Sequence, residues 1–331
     1  MNKQTRYFMA GSAAIVAAGL FTGLVAFYSG GFQALSASTG PTELSYVPAD
    51  AAVVAYADVA SIMNSELRQR LKTVMPLHDQ KGQEEFQRQT GIDIERDVDY
   101  IVAAVSPAAD GVDMTRVGPL VVARGRFNDT QLEALARQHG GIAQSYREKR
   151  LVVSSRTDSH EPCIAFLEPG LVAVGESTAV KRAIDANMSG TSIRSNTEMM
   201  NLVTDIVSRN NAWAVGRFDV LASHAKLPEQ LARQIPPVKW FAAAGHINGG
   251  VVATLRAEAN DDQSAEHLRN VVRGFLSLGQ LQAQNDARIA AVANSMQLSG
   301  SGKTVELSFS VPSEVIDAVL PKTANPQELP H

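Results

Sequence analysis

Between Arg6 and Glu43 the chain carries no acidic or basic residue, and within that stretch the 22-residue run 7–28, YFMAGSAAIVAAGLFTGLVAFY, constrains everything that follows. As a helix it would be about 33 Å long, which matches a bilayer hydrocarbon core of about 30 Å. Lys3 and Arg6 precede the run and no Lys or Arg follows it closely. The positive-inside tendency therefore predicts a cytoplasmic stub (1–6), a transmembrane anchor (7–28) and export of the remaining 300 or so residues. A cleaved signal peptide is the competing reading, because Ala34-Leu35-Ser36 is a passable cleavage site. The run exceeds the usual apolar stretch of a signal peptide, about 7 to 15 residues, which favours retention.

The expected span has one face of small residues. Ala10, Ala14, Ala18 and Thr22 form a ridge, with Gly11, Gly19 and Gly23 beside it. Close backbone approach is what helix pairing in lipid depends on, so Gly11, Ala14, Ala18, Gly19, Thr22 and Gly23 are candidates for packing against a second helix. The same residues are also common in any membrane span.

Outside the run, 45% hydrophobic and 19% charged side chains over 331 residues suffice for one large or two small globular units. Net charge is −4 and no basic run stands out, so the electrostatic footprint of a nucleic-acid binder is missing. A single cysteine, Cys163, permits no internal disulfide and reads as a small buried hydrophobe.

Residues 29–46 are rich in Gly, Ser, Ala and Thr and read as a flexible tether, with the folded part starting near Val47. A strand at 51–59 leads into a helix whose apolar spacing runs from Ile62 to Val74 and stops at Pro76. A short helix at 83–90 ends at Gly91, and strands follow at 100–105 and 119–127. Asn128 or Asp129 caps the helix 130–139. Strands at 150–155, 163–167 and 171–175 come next, the last two joined by Glu168-Pro169-Gly170, a type II turn pair. A helix at 178–186 closes this first unit (47–188), and a polar loop with a helix at 197–209 connects it (189–211) to a second (212–320). There the order starts again. AWAVGRFDV at 212–220 echoes AAVVAYADV at 51–59, and Asn260-Asp261-Asp262 caps a long helix as Asn128-Asp129 did. Strands at 240–247 and 251–259 flank Asn248-Gly249, strands at 296–298 and 305–311 flank SGSGK, and the tail 321–331 is polar and proline-containing. Matching positions drift from an offset of 161 residues (Asp58 to Asp219) to 132 (Asn128 to Asn260). The fold class expected is α+β: a transmembrane helix followed by a two-lobed, pseudo-duplicated ectodomain of antiparallel sheets with helices packed on one face.

Three patterns resemble chemistry. SGSGKT at 299–304 ends like a phosphate loop, but it leads into a strand and lacks the first glycine. Gly175-Glu176-Ser177 looks like a nucleophile elbow, for which Ser177 as a helix N-cap is the simpler account. Asp93, Glu95, Asp97 and Asp99 alternate as calcium ligands can, without the glycine and glutamate of an EF-hand loop. None of the seven histidines has metal-ligand spacing, and 6% aromatics offer no stacking platform. No catalytic, cofactor or metal residue is assigned.

The phrases YVPADAAVVAYADV, TGIDIERDVDYIVAAV and LVAVGESTAVKRAID resemble a group of uncharacterised bacterial exported proteins, mainly over residues 46–185. The resemblance implies a bacterial envelope protein of unassigned role. The expectation is a single-pass protein of the cytoplasmic membrane with a periplasmic or extracellular, non-catalytic binding or assembly ectodomain. Its partners would be the bilayer and a membrane protein or second copy. The alternatives are an envelope serine hydrolase using Ser177 and a periplasmic carrier of an apolar ligand held between the lobes.

Overall fold

The short apolar strand expected at 51–59 forms β1 (Val53–Ala57), and eleven more strands follow among the described residues, most of them on β-branched or alanine-rich runs: β2 (Val98–Pro107), β3 (Val117–Gly125), β4 (Gly141–Tyr146), β5 (Lys149–Ser154), β6 (Pro162–Glu168), β7 (Leu171–Glu176), β8 (Ala212–Arg217), β9 (Val238–Ile247), β10 (Gly250–Ala259), β11 (Gln297–Ser299) and β12 (Thr304–Pro312). The structure is a computed structural model that describes residues 40–74, 87–88, 90–107, 117–154, 162–207, 210–218, 236–283 and 287–319. The expected anchor 7–28, Pro76, most of the expected helix 83–90, Asp219 and the tail 321–331 lie outside them. Among the described residues no helix is long and apolar enough to cross a membrane.

Among the described residues all twelve strands belong to one antiparallel sheet in the order β11-β12-β10-β9-β8-β1-β2-β3-β7-β6-β5-β4. β1 and β8 pair at its middle, and from there the order outward is first, second, third, last and last-but-one strand on both sides. The offset of 161 residues between Asp58 and Asp219 also carries Val54 onto Val215, and these two are register partners. A local two-fold through that pair relates the two halves of the sheet. The first half has β4 and β5 as additional strands at its outer edge.

The helices are α1 (Val59–Met63), α2 (Glu66–Val74), α3 (Ile94–Asp97), α4 (Asp129–Gln138), α5 (Ser177–Ser189), α6 (Thr197–Val207), α7 (Asp262–Ala283), α8 (Ala287–Ser295) and α9 (Ser313–Val319). Their ends follow from capping. Asp58 accepts from the Ser61 amide at 3.1 Å, Asn128 from Gln131 at 3.1 Å and Asp261 from Ser264 at 2.7 Å. Gly190 ends α5 with a φ of 72°.

The main core lies on one face of the sheet, where α5, α6 and the 3₁₀ turns Thr42–Tyr46 and Ile193–Ser195 cover Val54, Val102, Val122, Trp213, Val215 and their neighbours. The opposite face is covered in pieces: α4 over Val152, Phe166 and Val172, α1 over Ala57 and Ala212, and α7 over Ala259 and Val305. Two expectations are corrected here. The two sheets are one, because each half would leave β1 or β8 as an apolar open edge, and pairing them buries both. Helices occupy both faces, because strands such as β1 are apolar at consecutive positions and need cover on each side.

The folded part also begins earlier than Val47. Leu44 and Tyr46 are in the core, and Glu43, only 1% exposed, receives the Arg124 guanidinium at 2.7 Å. Arg124 also reaches Glu168 at 3.4 Å, and the Tyr46 hydroxyl donates to Glu168 at 2.9 Å. This network anchors residues read from composition as tether to the middle of the first half.

Candidate functional site: a groove where the two halves meet

At one register level of the second face, Ala103, Ala55, Ala214 and Ala243 stand opposite one another across β2, β1, β8 and β9. The rows on either side are Ile101, Ala57, Ala212, Gly245 and Val105, Val53, Gly216, Phe241. Small side chains on four adjacent strands leave the sheet surface low at the join, while Phe218, Phe241, Leu268 and Val272 rise around it. The result is a groove of about 230 Å³. Gly216 is required for the strand packing itself, since a Cβ there would collide with the Ala52 carbonyl and Val53.

The groove is hydrocarbon in character. Arg256 borders it, but its guanidinium lies on the opposite face, bonded to Glu306 at 2.9 Å and Asp205 at 3.1 Å. Tyr56 points the same way, its ring stacked 5.7 Å from that of Trp213, and burial raises its hydroxyl pKa. Asp58, next to the floor residue Ala57, is buried, and that burial pushes its carboxyl up to about 7. Its side chain is committed to capping α1. Such a surface can exclude water and hold an apolar chain or ring; among the described residues it presents no converging polar groups for proton transfer or nucleophilic attack.

The residues singled out from sequence lie elsewhere. Gly11, Ala14, Ala18, Gly19, Thr22 and Gly23 fall outside the described residues. Ser177 is the first residue of α5, with Glu176 at the N-cap position, so the capping role expected of Ser177 is not formed. It is 5% exposed and has no positive φ, so the strained, accessible turn of a nucleophile elbow is not formed either. The acidic series is absorbed locally: Asp93 caps α3, Glu95 pairs with Arg68 at 2.8 Å, and Asp97 pairs with Arg96 at 3.0 Å. Among the described residues no cluster of three or more His, Cys, Asp or Glu could hold a metal ion. Cys163 is buried in the main core, and SGSGK is the β11–β12 hairpin. The groove alanines had a legible signal, since alanine recurs at alternate positions in AAVVAYA and AWAVG, and FAAAG carries three in a row.

Scanned against models of known protein families, the sequence matches none, and no curated protein matches it. A solved structure, crystal form I of TP0453, superposes with a TM-score of 0.39 at 12% identity, covering 86% of this chain and 97% of that one, a likeness too distant to carry an argument.

Proposed function

We propose that this chain is a non-catalytic binding module of the bacterial cell envelope, and that the groove at the β1–β8 join is where it holds an apolar ligand. The observation that carries the reading is the groove itself, about 230 Å³ lined by hydrocarbon, with the neighbouring guanidinium turned to the other face. Residues 7–28 hold the module to the cytoplasmic membrane with the N-terminus inside, a reading supported by the uncharged run and by Lys3 and Arg6 before it. The repeated strand order supports an origin by duplication, with each half contributing two of the four floor alanines. Association with a membrane protein or a second copy through the Gly19 and Gly23 face completes the reading.

The test is binding of a fluorescent fatty acid by the detergent-solubilised, delipidated full-length protein, wild type against Ala214→Ile. Saturable binding that the substitution weakens is expected; equal binding by both would remove the groove from the proposal. The anchor is tested separately by alkaline washing of membranes, and a mature N-terminus at or near Ala37 would exclude it.

A further inference from the structure

The hydrocarbon surface of the groove continues beyond its rim. Leu268 and Val272 of α7 line it, and the same helix goes on to Phe275, Leu278 and Leu281, which are 39%, 52% and 60% exposed. Successive steps of four, three, three and three residues keep each side chain beside the last, and the row winds about half-way round the helix between Val272 and Leu281. A strip of hydrocarbon therefore runs from the groove to the far end of a helix of about 33 Å. Large apolar side chains exposed in a continuous row mark an interaction surface.

Charge and chain length identify what it meets. From His267 through residue 285 the sequence has no acidic residue and two basic ones, Arg269 and Arg273. Glu266, just before this stretch, is paired with both, at 3.1 and 3.0 Å. Nothing on this part of the helix repels an anionic surface. The tether is also short: eleven residues, 29–39, separate the proposed anchor from Gly40, where the described fold begins. In any conformation they span at most about 40 Å. For an exposed apolar helix on a fold tethered this closely to a bilayer, lipid is the most abundant apolar partner.

We infer that the exposed half of α7 lies in the headgroup boundary of the bilayer, and that the ligand of the groove is a lipid acyl chain reaching it along α7. The inference rests on the anchor and groove proposed above. A helix lying in that boundary buries its apolar side and leaves its polar side in water. Phe275, Leu278 and Leu281 are then covered, while Gln280 stays wet.

The experiment uses the full-length chain in phosphatidylethanolamine–phosphatidylglycerol vesicles. Leu278→Cys or Gln280→Cys, in a Cys163→Ala background, carries an environment-sensitive fluorophore. Blue-shifted emission at position 278 that spin-labelled lipid quenches, with water-like emission at 280, is expected. Emission at 278 no different from that at 280 would overturn the inference. Alkaline washing of the same vesicles keeps the two readings apart: protein that stays bound while 278 remains wet sinks the α7 inference alone, whereas protein that washes off sinks the anchor. Hydrogen exchange on the unsubstituted chain provides a measurement independent of Cys163→Ala. Residues 271–283 should be protected in vesicles relative to detergent, and equal exchange would count against the inference.

Discussion

Ala214 tests the groove as a physical object, because the sign of the effect depends on whether the space exists. It sits at the centre of the floor, facing Ala55 on one side and Ala243 on the other. Ala214→Ile adds three carbons, and fully burying them contributes about 0.8 kcal/mol each. The floor is half-covered at this position, so a gain of about 1–2 kcal/mol is the expectation. A β-branched side chain also suits a strand. For a domain of this size the gain corresponds to a rise in Tm of about 2–4 °C. In a packed interior the same substitution would force neighbours apart and cost about 1–3 kcal/mol. Differential scanning calorimetry of the delipidated protein reads the sign directly. A fall in Tm would mean that the space between Phe218, Phe241 and Leu268 is not available, and the proposed ligand site would go with it.

Substitutions at Asp58, at the Arg124–Glu43 pair and at Glu148 probe what holds the sheet together. Asp58 has its carboxyl raised from 3.8 to about 7 by burial, so folding takes up a proton between those pH values. Its contribution is complete below about pH 4 and lost as pH rises through 7; Asp58→Asn, which keeps the cap, should overtake wild type at pH 8 by at most about 4 kcal/mol in urea titrations, and identical pH profiles would refute this. Arg124→Met should cost about 2–4 kcal/mol by leaving the Glu43 carboxylate buried without its cation, and adding Glu43→Leu should recover most of that loss; additive losses would show that the pair is not the cause. Glu148→Gly should stabilise by about 1 kcal/mol, because Glu148 holds a φ of 66° in the β4–β5 turn, and an unchanged Tm would show that the turn is not strained.

Local chemistry in the sequence located most elements, and composition misled where tertiary contacts decide. Asn128 caps its helix and Gly170 takes the positive φ that its turn needs. Strand β4, GIAQSY, gives no strand signal in the sequence, because its residues are largely exposed and show no apolar alternation; its place is set by pairing with β5. Residues 40–46 look like linker by their Gly, Thr and Ser content, but the contacts of Leu44, Tyr46 and Glu43 outweigh composition. Asn248-Gly249 joins β9 to β10 as its hairpin signal predicts, but neither residue has the positive φ that this pair usually supplies. The Asn248 carbonyl instead accepts from the Leu67 amide at 2.7 Å, so this turn is shaped by its contact with α2.

The groove was hidden for a different reason, which concerns register. Alanines at alternate positions of a strand say only that one face is low; four strands must share a level before low faces add up to a site. Shifting β8 by one residue against β1 would bring Trp213 or Val215 to the position of Ala214 and close the groove. What fixes the register is the main core on the other face, where Val54 meets Val215 and the Tyr56 ring stacks on Trp213. The large residues of β1 and β8 on one face thus determine the gap between the small residues on the other. Because the two halves meet at this pair, substitutions at Val54 or Val215 act on the groove without lining it. The join that buries two strand edges is also what creates the binding surface, so stability and the proposed function share the same four strands.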